Sequence, residues 1–274
     1  MSLGCLILSL GTAMAGAPAE TNERPTAAQV IARPGFLVIA HRGDSGAFPE
    51  NTLPAFRSAV ELGADLVELD YYHSADGVPF TFHDRTLNRT SDATAVLGQE
   101  KIPTDSLAWE QLQQLDAGAW FDPRFRGTPI PTLAEALDVI QQGSITLVER
   151  KAGDAATCVQ LLREKDLLEH VVVQAFDWTY LADCHRLAPE LILGALGSKD
   201  LSDDRLDEIQ KAGARIVGWN HQDLQRAQIE AVQRRGMKIW AYTVNDVQRA
   251  QQLIADGIDG IITDYPAKIM QLRQ

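Results

Sequence analysis

The sequence predicts a (β/α)8 TIM barrel that carries a small insertion after its second strand and hairpin. Eight strand-like runs alternate with helical patterns over about 230 residues, the rhythm of a parallel sheet wrapped by helices. The chain has 274 residues and is 45% hydrophobic, enough for one large domain with its own core. The runner-up, a doubly wound open sheet, lacks the glycine-rich GxGxxG or GxxxxGK turn that marks such folds.

Residues 1–19 read as a secretory signal peptide. An apolar run from Leu3 to Gly11 precedes two small-x-small cleavage sites, Ala13-Met14-Ala15 and Ala17-Pro18-Ala19. The leader lacks the usual Lys or Arg, so a disordered leader is its rival. The first reading makes the protein periplasmic or secreted, the second cytoplasmic. The apolar run is too short to anchor in a bilayer and no later 18-residue apolar run follows, so no stable membrane insertion is expected. Residues 20–35 are polar and proline-containing, and read as a linker.

The barrel is expected over residues 36–270. Its strands fall at 36–40, 66–72, 145–149, 171–176, 191–196, 216–219, 239–244 and 260–263, with helices at 155–166, 179–188, 204–212 and 247–255 between the later ones. A further helix runs to Leu62, with Asn51 or Thr52 as its N-cap.

Two segments break the rhythm. Asp76-Gly77 is a two-residue hairpin signal. Centring the turn there pairs Ser74 with Pro79, Tyr72 with Thr81 and Asp70 with His83, which brings a distant histidine beside a carboxylate. Residues 85–131 hold a helix-like piece around 107–115, then Gly118, Pro123, Gly127 and Pro129. The segment is too long for a plain loop and reads as an insertion over one barrel end.

The net charge of −12 excludes a nucleic-acid or anionic-membrane surface; an anionic substrate would need a local cation or metal. Of three cysteines, Cys5 lies in the leader, while Cys158 and Cys184 fall in helical patterns. Pairing and free burial both remain open for them, and there is no CxxC or zinc spacing. The sequence does not set the oligomeric state.

The reactive residues gather where strands end. Glu68 and Asp70 stand two apart in Leu66-Val67-Glu68-Leu69-Asp70, so in a strand they project to one face. A bare pair of like charges resists burial, and a divalent cation removes the objection. Glu149 and Lys151 share a face in the same way, and His41-Arg42 follows the first strand. TIM-barrel sites form at these C-terminal strand ends. Glu68, Asp70 and Glu149 offer hard oxygen ligands for one divalent cation, Mg²⁺ or Ca²⁺. Arg42 and Lys151 offer positive charge to phosphate oxygens, with Glu50 available to pair with Arg42. His41 and His83 offer a general acid and base, and Trp240 sits in the seventh strand. Together these point to phosphate ester hydrolysis. By alternation His73 shares the face of Tyr71, away from Asp70, and Arg150 lies opposite Glu149.

The ordered blocks His41-Arg42-Gly43, Pro49-Glu50-Asn51-Thr52, Ala55-Phe56, Gly63-Ala64-Asp65, Glu68-Leu69-Asp70, Asp76-Gly77 and His83-Asp84 resemble the glycerophosphodiester phosphodiesterase family. Later blocks agree: Leu87-Asn88-Arg89-Thr90, Leu115-Asp116-Ala117-Gly118, Ile130-Pro131-Thr132-Leu133, Glu149 with Lys151, Trp240 with Thr243-Val244-Asn245, and Thr263-Asp264-Tyr265-Pro266. The match spans about residues 36–268. The resemblance implies a TIM barrel and a metal-dependent hydrolase releasing sn-glycerol 3-phosphate and an alcohol from a small-molecule phosphodiester. It implies His41 and His83 as the acid/base pair, Glu68, Asp70 and Glu149 as metal ligands, and Arg42 and Lys151 as phosphate contacts, with Trp240 among the substrate-binding residues and Glu50 and Asn51 in a supporting motif. The chain departs from the family pattern at Tyr71-Tyr72-His73 and at Ala175-Phe176, where Ser-Phe is common; neither removes a proposed catalytic group. A phospholipase D-type activity on lysolipids is the alternative. It would use Trp109, Trp120, Phe121 and Phe125 of the insertion, unless these form the insertion's own core. A non-catalytic phosphodiester-binding protein is disfavoured because both histidines and all three carboxylates are present.

Overall fold

A computed structural model describes residue 1 and residues 24–273. The expected signal peptide lies outside the described residues. The strands are β1 (Leu37–Ala40), β2 (Leu66–His73), β3 (Pro79–Thr81), β4 (Ile145–Arg150), β5 (Val171–Ala175), β6 (Ile192–Gly197), β7 (Ile216–Asn220), β8 (Lys238–Tyr242) and β9 (Gly260–Thr263). All but β3 run parallel, in the order β1-β9-β8-β7-β6-β5-β4-β2, and β1 also pairs with β2. That last pairing closes the eight-stranded barrel, as the sequence predicts. Helices connect the strands and cover the outside; those over Ala155–Glu164, Trp178–Leu187, Asp203–Lys211 and Val247–Ala255 match the predicted ones to within two residues at each end.

Alternation sorts the residues of each strand. Val67, Leu69 and Tyr71 of β2 point outward into the apolar layer beneath the helices, with Val148, Val173 and Ile239 from other strands. Leu37, Ile39, Leu66, Leu147, Val172 and Ile262 fill the barrel interior. Glu68 and Asp70 occupy inward positions further along β2, so the apolar filling stops where the carboxylates begin.

The described part of the expected linker, residues 24–35, contains a helix. Thr26 caps a short helix, Ala27–Ile31, in a capping box with Gln29. Ala27 and Val30 of that helix are buried against the interior cluster. The Ala27 N–H donates to the Glu169 carbonyl just before β5 (2.7 Å), so the helix plugs the N-terminal mouth.

The hairpin register differs from the predicted one by a residue. Tyr71 pairs with Thr81, Tyr72 with Phe80 and His73 with Pro79. The turn has three residues rather than two. The Gly77 N–H donates to the Ser74 carbonyl (2.9 Å), Gly77 sits at φ +86°, and the Ser74 hydroxyl donates to Asp76 and accepts from Val78. That is a type I turn closed by a left-handed glycine. The slip puts Phe82, not His83, beside Asp70: the Phe82 N–H donates to the Asp70 carbonyl (3.1 Å). The chain then leaves the ladder, sending Phe82 into the insertion's core and His83 to the cavity.

The insertion has its own core of Phe80, Phe82, Leu87, Ile102, Leu112 and Leu115, with Trp109 packed against it. Phe121 stacks edge-on against Trp120 and Phe125, and Phe125 lies 5.4 Å from Phe48 of the loop after β1. No helix of the described residues is long and apolar enough to cross a membrane.

Candidate active site

The loop after β1 is the most strained part of the site. Arg42 and Asn51 both adopt left-handed φ, 55° and 56°, a conformation that non-glycine residues hold only where surrounding contacts fix it. The Asn51 N–H donates to the Arg42 carbonyl (3.1 Å). Gly43, at φ +84°, packs so closely that a Cβ there would lie 2.6 Å from the Ala55 backbone. This geometry aims the Arg42 N–H at Glu68 Oε2 (2.8 Å). It also aims the Asn51 side chain at Asp70, with Nδ2 donating to Oδ2 (2.8 Å) and Oδ1 accepting from the Asp70 N–H (3.0 Å). Asn51 is thus a carboxylate holder, and Thr52 is the residue at the helix N-cap.

Glu68, Asp70 and Glu149 converge as predicted: one carboxylate oxygen from each lies within 4.8 Å of the others, and all three residues are buried. The β2–β4 register explains it, because Asp70 sits directly opposite Glu149. Two cations lie against the cluster. Arg42 Nε is 3.2 Å from Asp70 Oδ2, and Lys151 Nζ is 3.0 Å from Asp70 Oδ1 and hydrogen-bonds Glu149. Burial, with the charges of Asp70 and Glu149, holds the Glu68 carboxyl well above the usual range. Burial would raise Asp70 too, but Lys151 and Arg42 outweigh it and hold that carboxyl below its ordinary value.

The residues fit a divalent cation. Glu68 Oε1 is buried without a hydrogen bond among the described residues, and Asp70 Oδ1 meets only the Lys151 ammonium. Buried polar atoms are nearly always paired, and three converging hard oxygen donors are what Mg²⁺ or Ca²⁺ takes.

Each histidine is fixed by its own carboxylate. His41 follows β1, and its Nδ1 lies 2.6 Å from Asp264 Oδ1. Asp264, directly after β9, accepts from Asn245 Nδ2 (2.6 Å) and Ser45 Oγ (3.2 Å). Burial pulls His41 below its ordinary value against the opposing Asp264 bond. Burial alone would raise Asp264, but its bond to His41 and those from Asn245 and Ser45 push it down to about 2. His83 Nδ1 lies 2.7 Å from Asp84 Oδ1. Asp84 in turn accepts from Arg89 Nε (2.6 Å) and Nη2 (2.8 Å).

Both histidines line a cavity of about 200 Å³ together with Arg42, Glu149, Lys151 and Gln174. Its apolar wall is Phe176, Leu196, Tyr242 and Ile262. Beyond His83, Lys151 and Phe176 an open groove of about 610 Å³ continues past Tyr72, Arg85 and Arg150 to solvent. Trp240 does not reach this cavity. It points into the barrel as alternation requires, but one layer below the site, fully buried among Leu37, Ile39 and Leu147. Its ring lies against Gly260, where a Cβ would come within 2.6 Å. Tyr242, one same-face step along β8, takes the place on the cavity wall.

A sequence model of the glycerophosphoryl diester phosphodiesterase family matches residues 41–268. The chain belongs to this family. A glycerophosphodiester phosphodiesterase of Caldanaerobacter subterraneus subsp. tengcongensis is 31% identical over 268 residues, covering 86% of this chain and 97% of that protein. One from Bacillus subtilis is 30% identical over 254 residues, covering 84% of each. A solved Oleispira antarctica phosphodiesterase, in complex with the product sn-glycerol-3-phosphate, is 30% identical with a TM-score of 0.78, covering 86% of this chain and 95% of that one. The family and its relatives make this protein a phosphoric diester hydrolase.

The family's barrel holds several site residues whose roles sequence reasoning missed. Asp264 and Asn245 both follow strand ends, so the strand-end rule could have found them. Gln174 is the register partner of Glu149, with Nε2 donating to Glu149 Oε2 (3.3 Å). Arg89 comes from the insertion, where the Leu87-Asn88-Arg89-Thr90 block marks its position but no periodicity gives its role.

Proposed function

We propose that the site hydrolyses glycerophosphodiesters to sn-glycerol 3-phosphate and an alcohol, with Glu68, Asp70 and Glu149 holding one divalent cation and His41 and His83 moving the protons. The observation that carries this reading is the convergence of three buried carboxylates, with Glu68 Oε1 unmatched and Glu149 on the wall of a cavity that both histidines line. Bound there, the cation would polarise the phosphoryl group and offset charge developing in the transition state.

The chain's own groups supply the rest. Arg42 and Lys151 present cations to the phosphate oxygens. Asp264 and Asp84 each accept from the Nδ1–H of a histidine, leaving the other ring nitrogen as the reactive one. His41 lines the 200 Å³ cavity, whereas His83 lines both that cavity and the open groove. Leaving alcohols of differing size need the open side, so His83 is the acid that protonates the leaving oxygen and His41 is the base. The apolar wall of Phe176, Leu196 and Tyr242 packs against the carbons of the glyceryl group. An exported enzyme acting on deacylated phospholipids fits the apolar leader, and N-terminal sequencing of the protein from the producing cell would test that.

The deciding experiment is turnover of glycerophosphocholine and glycerophosphoethanolamine by EDTA-treated protein given Mg²⁺ or Ca²⁺. Restored turnover by one of the two supports the reading; full activity in EDTA refutes it. Cleavage of lysophosphatidylcholine at a comparable rate would favour the phospholipase D-type alternative. His41→Ala and His83→Ala should each lower kcat by roughly 10²–10⁴. A nitrophenyl leaving group, which needs little protonation, should rescue the His83 variant far more than the His41 variant. Small, equal losses on both substrates would remove the histidines from the mechanism.

A further inference from the structure

The charged groups beside the cavity form one continuous chain from Arg42 to His83. Arg89 is its centre. Nε and Nη2 of Arg89 donate to Asp84 Oδ2 (2.6 Å) and Oδ1 (2.8 Å). Nη1 and Nη2 donate to Glu50 Oε2 (2.9 Å) and Oε1 (2.8 Å). Glu50 Oε1 also accepts from Arg42 Nη1 (2.8 Å), and Asp84 Oδ1 meets His83 Nδ1 (2.7 Å). We propose that Arg89 is a positioning residue: by bridging Glu50 and Asp84 it holds His83 in place and orientation relative to the phosphate-binding Arg42. The inference rests on the roles assigned above to Arg42 and His83.

Three features carry it. The guanidinium is a rigid planar fork, so gripping two carboxylates at once fixes their distance and their planes, which a single ammonium does not do. Arg89 is 46% exposed, and ion pairs that open to water contribute little to folding stability; orientation is the use such a bridge has left. Without the bridge, two like charges face each other, since carboxylate oxygens of Glu50 and Asp84 lie within 4.8 Å along with a His83 nitrogen. They would separate, and His83 would lose the fixed position of its partner Asp84. His41 has no such dependence, because Asp264 is held by the neutral Asn245 and Ser45. It is an internal control.

The test uses the metal-loaded full chain, with Arg89→Ala and, as a second break in the same bridge, Glu50→Gln. Both variants should lose kcat roughly 10–100-fold, the range for groups that orient a reacting residue, with KM for glycerophosphocholine within about twofold in Arg89→Ala, where Glu50 still accepts from Arg42. The loss should largely vanish on the nitrophenyl ester. In ¹⁵N-detected spectra of the imidazoles, His83 should change from one tautomer to a mixture while His41 stays as it was. Unchanged His83 signals would overturn the proposal and make Arg89 a surface residue of the insertion; an equal loss on both substrates would overturn it by separating Arg89 from the acid. If His83→Ala itself keeps full activity, the acid role fails, and the spectra still decide whether Arg89 orients that ring.

Discussion

The two mouths of the barrel are closed in opposite ways. At the N-terminal mouth a five-residue helix presses Ala27 and Val30 onto the apolar interior. The polar groups around it are matched: Gln141 Nε2 donates to Thr146 and to the His170 carbonyl, the Ser144 hydroxyl donates to the Ala64 carbonyl, and Asp65 accepts from the Val38 N–H. At the C-terminal mouth three carboxylates are buried together, Glu68 with an unmatched oxygen, and Arg42 and Asn51 sit in left-handed conformations. A cavity also opens at the first mouth, about 350 Å³ and lined by Arg24, Arg33, Asp65 and Gln142, but among the described residues a single carboxylate stands in it. The site cavity at the other mouth is smaller, about 200 Å³, and is set apart by what lines it rather than by its size. What marks the site is coincidence: converging buried carboxylates, an unmatched Glu68 oxygen and two left-handed residues, Arg42 and Asn51, meet at one strand end. One mouth stabilises the fold, and the other is held in a costly arrangement by that stability.

The comparison breaks most sharply at Glu68. Glu68→Gln keeps the shape and removes a metal-ligand charge. Loss of a cation contributing several kcal/mol should lower kcat/KM by roughly 10³ or more. The same change relieves crowding among three buried carboxylates, so the variant should melt above the wild type when both are in EDTA. Calorimetry and initial rates on one preparation would check both. A variant that is inactive and also less stable in EDTA would contradict the view that this mouth is the costly one.

Asp264 comes next. Asp264→Asn should lower kcat by about 10–100-fold through loss of the His41 orientation. Its carboxyl is pushed down to about 2 in the fold from an ordinary value of 3.8, so its stabilising share is fully present above ~4 and is lost as the pH falls through about 2. The stability gap between wild type and Asp264→Asn, measured by urea unfolding, should therefore narrow as the pH is lowered from ~4 toward 2. A gap that widens there would reverse the sign of the interaction.

Val30→Asp tests the other mouth. It exchanges a buried apolar contact for an unpaired charge, a loss of about 3 kcal/mol or more. In a domain of this size that lowers Tm by roughly 6–12 °C. Rates below the melting range should stay within about twofold of wild type. A variant with normal Tm but impaired kcat would show that the two mouths are coupled.

How much of this could be read before the fold was known depends on whether a residue's role is local. Glu68 and Asp70 were legible because i, i+2 spacing in a strand fixes a common face, and the same rule placed Glu149 with Lys151 and put His73 beside Tyr71. Height along the barrel axis is not local. Trp240 has the inward parity of Tyr242 but lies one layer too low, and parity cannot tell the two apart. The hairpin slipped by one residue because a left-handed Gly77 serves two-residue and three-residue turns equally well. The partners of Arg89 were illegible for a stronger reason: the Leu87-Asn88-Arg89-Thr90 block marks the residue, but it lies in an insertion without periodicity and acts across 39 residues of chain on Glu50. The helix at Ala27–Ile31 hid because five residues with two apolar contacts carry too little pattern to outweigh the prolines around them.

The smallest effect is expected between the two mouths, in the outer layer where Cys158 and Cys184 lie on neighbouring helices. Both are free and buried. Burial pushes the Cys184 thiol up to about 12 and raises Cys158 as well, so neither forms the reactive thiolate at neutral pH. They stand near the Tyr71–Tyr180 hydroxyl pair, whose oxygens are 2.8 Å apart, on the face of β2 opposite Glu68 and Asp70. Serine at both positions adds hydroxyls to an apolar layer at a cost of about 1–3 kcal/mol each, less where a tyrosine accepts or donates a bond. The double variant should therefore melt several degrees lower, with kcat and KM on glycerophosphocholine unchanged within about twofold. A fully folded double variant that has lost turnover would mean that the outward face of β2 governs the inward one.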